Sequence, residues 1–285
     1  MRLVVIGNYS LDVLSEWVTS KFSDIKSKGN TKPTFYGHPI GKAQLGKIIH
    51  YKTVGEMYDI KLQFSLPELK STYGENPYYY IETLLSHGAP GSIFSVLRKN
   101  GWATAVLAYY SGMFYDGFDT FDINVTATPE GLENYEAIVG IIFGYIKMLV
   151  ESGPQEWYYK ELSLVQKAEF DFKVIDEEDY FNELSSGGHN QYVPPQHILS
   201  HSSLMRRYDS DLISKCISYL NPGNYRLFVG ALEHKAVECK FKEKYYSILY
   251  DIGELSSHMT SNVECSHDVA KMLHLPERNP FLPEK

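Results

Sequence analysis

The chain has 285 residues, 44% of them hydrophobic, and is long enough to bury a substantial core. Its 35 acidic and 27 basic residues give a net charge of −8 without a basic run, which excludes nucleic acid and anionic membranes as favoured partners. Its 3 cysteines lie far apart and form no CxxC pair, so we expect no disulfide framework and a reducing, cytoplasmic location.

The first 30 residues predict one strand and one helix. "RLVVIG", residues 2–7, is typical of a buried strand, and Ser10 is a predicted N-cap. The helix that begins after Ser10 has an apolar stripe made of Leu11, Leu14, Val18 and Phe22. After this helix, the polar stretch 26–33 predicts a linker.

Alternating apolar and polar residues predict the strands. "MYDIKLQFSL", residues 57–66, alternates cleanly and indicates a half-buried strand. "WATAVLAYY" (102–110) and "DTFDINVTA" (119–127) follow, joined by a turn region at 112–117, and "YRLFVGA" (225–231) is the last predicted strand.

Capping residues and helix-ending glycines predict helices between these strands. The predicted helices cover residues 76–88, 92–101, 128–152 and 154–170. Strands that are neighbours in sequence, with helices collected between the hairpins, predict an α+β fold. We expect a largely antiparallel sheet with helices packed on one face.

"HILSH" places His197 and His201 four residues apart, the spacing of two zinc ligands on one helix face. A zinc peptidase would need its glutamate at Ile198 or Ser200, and neither position has one. We interpret the pair as polar histidines on a partly exposed helix. "HGAPGS", residues 87–92, lacks the ending of a phosphate-binding loop, so motifs alone predict neither a catalytic centre nor a metal site in this chain.

Three long segments resemble the second domain of the insulin-degrading-enzyme family of zinc metallopeptidases, including its fungal pheromone-processing members. The segments are "NPYYYIETLLSHGAPGSIFSVLRKNGWATAVLA", "TPEGLENYEAIVGIIFGYIKMLVESGPQEW" and "YDSDLISKCISYLNP". The resemblance implies a processing-peptidase-like repeat domain flanked by pieces of its neighbours, which divides the chain into three parts. Residues 1–30 resemble the last strand and helix of a catalytic-type domain, 31–275 the whole non-catalytic second domain, and 276–285 the link to a third.

The resemblance implies a non-catalytic segment of a zinc metallopeptidase that shapes a substrate chamber. The zinc would be held by an HxxEH motif in another domain of the full-length protein, with no cofactor in this chain. The implied partners are peptide substrates and other domains of the same polypeptide. The apolar stripe in residues 1–30 leaves a homodimer open as an alternative.

The resemblance also implies a site that anchors peptides. Family members hold a peptide's N-terminal residues as an added strand on the edge strand matching residues 106–110, beside the loop matching 87–91. This chain has Gly88 where insulin-degrading enzymes have a glutamate, and Ala108 and Tyr109 where they have glycines. The alternative is an interaction or scaffold domain with a degenerate groove. The implied substrate-binding residues are His87, Gly88, Ala89, Gly91, Val106, Leu107, Ala108, Tyr109 and Tyr110.

Overall fold

A computed structural model of the chain describes residues 3–29, 37–111, 117–174, 180–182, 184–185, 193–234, 237–261 and 263–282. Residues 112–116 of the predicted turn region and residues 30–33 of the predicted linker lie outside these ranges. The described helices are α1 (Leu11–Phe22), α2 (Pro77–Ser86), α3 (Ile93–Lys99), α4 (Pro129–Glu133), α5 (Tyr135–Ser152), α6 (Glu156–Asp171), α7 (Ser210–Ser218), α8 (Ser257–Ser261) and α9 (His267–Ala270). The described strands are β1 (Lys47–Lys52), β2 (Tyr58–Leu66), β3 (Ala103–Tyr110), β4 (Asp119–Ala127), β5 (Tyr225–Ala231), β6 (Phe241–Lys242) and β7 (Leu249–Glu254).

The strands form one seven-stranded sheet in the order β3-β4-β2-β5-β1-β7-β6. β1 and β5 pair in parallel, and the other neighbours pair antiparallel. The predicted α+β fold with a largely antiparallel sheet is therefore confirmed. β1, β6 and β7 were not predicted from the sequence.

The hydrophobic core lies between one face of the sheet and the helices. Alternate residues of β2, including Ile60, Leu62 and Phe64, are fully buried on this face. α5 packs over them, and the rings of Phe64 and Phe143 are 6.1 Å apart. The predicted placement of the helices on one face is confirmed, because period-2 burial in β2 leaves its other face polar.

The strand predicted at residues 2–7 is wrong for the described residues 3–7, which adopt no regular structure. Leu3, Val5 and Ile6 remain 45%, 45% and 47% exposed. An extended segment becomes a strand only when a neighbour accepts its backbone hydrogen bonds, and the sheet runs elsewhere. Ser10 does cap α1, accepting a bond from the Val13 amide at 3.4 Å, but the apolar stripe of α1 contains no buried residue.

The helix predicted at 128–152 is interrupted at Asn134, which separates α4 from α5. Thr128 caps α4 through a bond from the Gly131 amide, as its position predicts. Gly131 packs so closely on Trp102, the residue before β3, that a Cβ at position 131 would lie 1.9 Å from the Trp102 carbonyl oxygen. The close approach of α4 to Trp102 leaves no room for a side chain at position 131.

Within the part of the chain that the structure describes, no single helix is long and apolar enough to cross a membrane. α5 and α6 are long and apolar enough for a membrane span only when they are counted together, and a bend of 108° separates them.

Candidate functional site

β3 lies at one end of the sheet and pairs only with β4 among the described strands. Backbone groups of alternate residues in a strand point toward opposite neighbours. The Ser111 amide donates to the Thr120 carbonyl at 2.9 Å, which shows that odd-numbered residues here bond β4. Val106, Ala108 and Tyr110 therefore direct their N–H and C=O groups away from the sheet.

Side chains of α2 occupy part of this outer edge. The Ser86 hydroxyl accepts from the Ala108 amide at 2.7 Å and lies 3.4 Å from the Ala108 carbonyl oxygen, so it contacts both groups that a neighbouring strand would bond. The Glu82 carboxylate accepts from the Tyr110 amide at 2.5 Å. Of these three residues, Val106 is the one for which neither outward backbone group has a hydrogen-bond partner on α2 in the described structure.

Sequence reasoning identified β3 but missed Ser86 and Glu82. Both stand on a predicted helix, four residues apart and thus on one helix face, and this spacing is the signal that could have found them. Their contact with β3, which lies 22 to 28 residues further along the chain, depends on how α2 packs.

The predicted loop at 87–91 directly follows Ser86 and so lies beside the Ala108 part of β3. His87 is half-buried, its Nε2 lies 2.9 Å from the Tyr145 hydroxyl, and burial lowers its pKa to about 4, with His274 adding to the effect. Gly88 and Ala89 are exposed. Gly91 has φ +83, and a Cβ there would lie 2.5 Å from the His274 ring, so only glycine fits this position.

The side chains of β3 divide between the two faces of the sheet. Val106 and Ala108 are buried toward the core, whereas Leu107 is 56% exposed on the opposite face and Tyr109 is half-buried there. Tyr110 is half-buried, and its hydroxyl donates to the Asp119 carboxylate. The structure therefore brings the predicted residues of the loop and of β3 together along one edge.

The sheet face opposite the helices is polar and open. Next to Tyr109 it has a pocket of about 540 Å³, bordered by Lys61, Asp122 and Arg226. The Gln63 amide links Arg226 to Asp122, because its oxygen accepts from Arg226 Nε at 2.8 Å and its nitrogen donates to Asp122 at 3.3 Å. Burial raises the pKa of Asp122, and the Lys61 ammonium opposes that shift.

The two histidines of "HILSH" are not on one α-helix, contrary to our interpretation. Residues Pro195–His197 form a 3-10 turn and the next residues form further turns, with backbone bonds that span three residues. His197 Nδ1 lies 2.9 Å from the Tyr73 hydroxyl, and His201 Nδ1 lies 2.7 Å from the Ile198 carbonyl oxygen. Among the described residues, no three His, Cys, Asp or Glu side chains are grouped to hold a metal ion.

Two family models and several known proteins are similar to this chain. The model of the peptidase M16 inactive domain matches residues 1–163, and that of the middle or third domain of peptidase M16 matches residues 170–285. A nardilysin-like protein of Arabidopsis thaliana is 32% identical over 293 residues, covering 99% of this chain and 28% of that protein. The insulin-degrading enzyme of Drosophila melanogaster is 30% identical over 286 residues, with the same two coverages. The crystal structure of pitrilysin superposes with a TM-score of 0.88 at 22% identity, covering 98% of this chain and 29% of that chain.

The inactive-domain model matches 163 of 285 residues, and the chain therefore belongs to the peptidase M16 family. The resemblance to insulin-degrading enzymes is confirmed, and the pitrilysin superposition agrees with the fold. The chain spans between a quarter and a third of these relatives' length. The matches to the two family models end and begin inside α6, while strands from both matched regions share one sheet. The domain boundaries that the sequence predicts near residues 30 and 275 stay predictions.

Proposed function

We propose that this chain is a non-catalytic segment of a zinc metallopeptidase, in which it forms part of a substrate chamber and holds extended peptides against β3. The family membership supports the non-catalytic role, since the larger match is to the inactive domain. The zinc and the residues that cleave the peptide would belong to another part of the full-length protein. The observation that carries the peptide-binding proposal is the position of β3 at the edge of the sheet.

The open polar face of the sheet supports a role as a chamber wall. Leu107 and Tyr109 lie on this face, next to the charged pocket bordered by Lys61, Asp122 and Arg226. A peptide added to β3 would alternate its side chains between this face and the side of α2. Backbone pairing would give affinity with little dependence on peptide sequence.

The hydrogen bonds already made at the edge limit that affinity. Each new backbone bond contributes only about 0.5–1.5 kcal/mol net. At Ala108 and Tyr110 a peptide would exchange existing bonds with Ser86 and Glu82, so the net gain comes mainly from Val106. We expect affinities in the micromolar to millimolar range, because ordering the peptide offsets much of this gain.

The same contacts favour a second candidate function. If Ser86 and Glu82 are never displaced, α2 substitutes for a neighbouring strand and closes the edge. The chain would then be an interaction or scaffold domain whose peptide groove has degenerated. Edge strands that are covered by side chains in this way do not pair with other chains.

A peptide titration followed by NMR distinguishes the two candidates. We would add an uncharged, N-acetylated hexapeptide of Val, Thr and Ala to the wild-type chain and to a Ser86→Ala variant. Strand addition predicts shifts at Val106 and its neighbours, and binding about 2- to 10-fold tighter in the variant, because the peptide no longer competes with the hydroxyl.

A second hydroxyl deletion provides the control. Ser218 is also the last residue of its helix, and its hydroxyl donates to the Lys215 carbonyl on the exposed surface of α7. Ser218→Ala should leave peptide affinity unchanged. Unchanged β3 resonances in the wild-type chain and in Ser86→Ala would reject strand addition and favour the scaffold domain.

A further inference from the structure

A separate pocket of about 250 Å³ lies where β3 ends, on the side of α2. This volume is below the ~300–1,000 Å³ of sites for drug-sized ligands and fits one amino-acid side chain. The wall of the pocket combines four tyrosines with one carboxylate. These residues are Tyr73, Tyr78, Tyr79, Tyr110 and Glu82.

The Glu82 carboxylate has no cationic partner among the described residues. The bond from the Tyr110 amide is the one hydrogen bond that the structure gives this carboxylate. Burial raises the pKa of Glu82 to about 7, and the Tyr110 bond offsets only part of that shift. A carboxylate in this state lacks a counter-charge, and a cation that entered the pocket would supply it.

The tyrosine walls also suit a cation with an apolar stem. Tyr78 and Tyr110 stack with ring centroids 4.4 Å apart, and the Tyr79 hydroxyl is fixed by a bond from the Gln166 amide at 2.7 Å. One of these rings already contacts a cation, because the guanidinium of Arg206 lies 5.7 Å from the Tyr73 ring centroid. Aromatic faces attract such cations, and rigid rings lose little entropy when they do so.

We propose that this pocket binds the basic side chain of a lysine or arginine, with its charged group on the Glu82 carboxylate and its methylenes against the tyrosine rings. Tyr110 belongs both to the pocket and to the end of β3, so a peptide lying along β3 reaches the pocket with the residue that passes Tyr110. Only this last step rests on the proposed function, because the pocket itself needs no added strand.

Single amino-acid derivatives test the pocket directly. N-acetyl-lysine methylamide and N-acetyl-arginine methylamide would be titrated against the 285-residue chain, with N-acetyl-norleucine methylamide as the uncharged analogue. We expect the basic probes to shift the Tyr110 amide resonance and norleucine to leave it in place. Equal shifts from norleucine would overturn the proposal, since the site would then be merely apolar.

Two variants separate the carboxylate from general charge effects. Glu82→Gln keeps an oxygen for the Tyr110 amide and should weaken the basic probes at least about tenfold, the loss expected for a charge-assisted bond. Glu151→Gln removes an exposed charge on α5 and should leave binding unchanged. Equal affinity in the wild-type and Glu82→Gln chains would overturn the assignment.

The probes are too short to add as strands, so the pocket and the proposed function fail separately. Probe binding without any effect of the neutral hexapeptide on β3 would retain the pocket and reject strand addition. Hexapeptide binding at Val106 without probe binding would retain strand addition and reject the pocket.

Discussion

Replacing Glu82 by glutamine should remove a pH-dependent penalty from the folded state. Its carboxyl has an ordinary pKa of 4.5 and a folded pKa of about 7, a rise caused chiefly by burial. Below pH 4.5 the group is protonated in both states and costs nothing. Between pH 4.5 and 7 the unfolded chain ionises first, so this group lowers stability as pH rises. At 1.36 kcal/mol per unit, the full penalty above pH 7 is about 3 kcal/mol.

Urea unfolding of both proteins at pH 4.5 and pH 8 measures this penalty. The two proteins should have similar free energies of unfolding at pH 4.5, and Glu82→Gln should be more stable by up to about 3 kcal/mol at pH 8. Taking the difference between proteins cancels the other titrating groups, including His87, whose lowered pKa reduces stability as pH falls below its ordinary value of 6.5. Glu151→Gln is the exposed control. An equal difference at both pH values would refute the argument from burial.

Four further predictions concern the fold and metal content. Ile142→Asp should prevent folding, since a buried unpaired charge costs several kcal/mol, whereas Val150→Asp, at a position 60% exposed on the same helix, should keep the wild-type melting temperature. Equal melting temperatures of the two variants would contradict this. Gly131→Ala should cost about 1–3 kcal/mol in urea unfolding because its Cβ meets the Trp102 carbonyl, and an unchanged midpoint would show that α4 shifts freely. Deleting residues 1–30 should leave the rest folded by circular dichroism, because α1 has no buried residue. Loss of the melting transition would contradict the boundary predicted near residue 30. Metal analysis of the purified chain should find far less than one zinc per chain, and a stoichiometric value would be evidence for a site.

Local patterns predicted the elements that depend on local physics. The alternation in residues 57–66 gave β2 and its buried face, because a half-buried strand requires period-2 hydrophobicity. Ser92 caps α3 as predicted, accepting from the Ser95 amide at 2.9 Å. The strand at 225–231 agrees with β5 residue for residue. β1 escaped prediction because its two adjacent isoleucines, Ile48 and Ile49, show no alternation.

The pairing of strands that lie far apart in the chain could not be predicted from the sequence. β1 lies parallel to β5, which is about 180 residues away in the sequence, and nothing in either segment specifies that partner. The run at residues 2–7 is as β-prone as β5 but has no strand beside it among the described residues. At the candidate site, the resemblance located β3 and the loop at 87–91. The occupation of the edge by Ser86 and Glu82 depends on tertiary packing and appeared only in the structure.

Hydrogen exchange at a single amide tests the peptide-binding proposal most directly. The Val106 amide faces outward on β3, whereas the neighbouring Leu107 amide faces β4 and provides an internal reference. With the chain saturated by the neutral hexapeptide, we predict slower exchange at Val106 and no change at Leu107. Unchanged exchange at Val106 while the peptide binds elsewhere would contradict peptide addition to this strand.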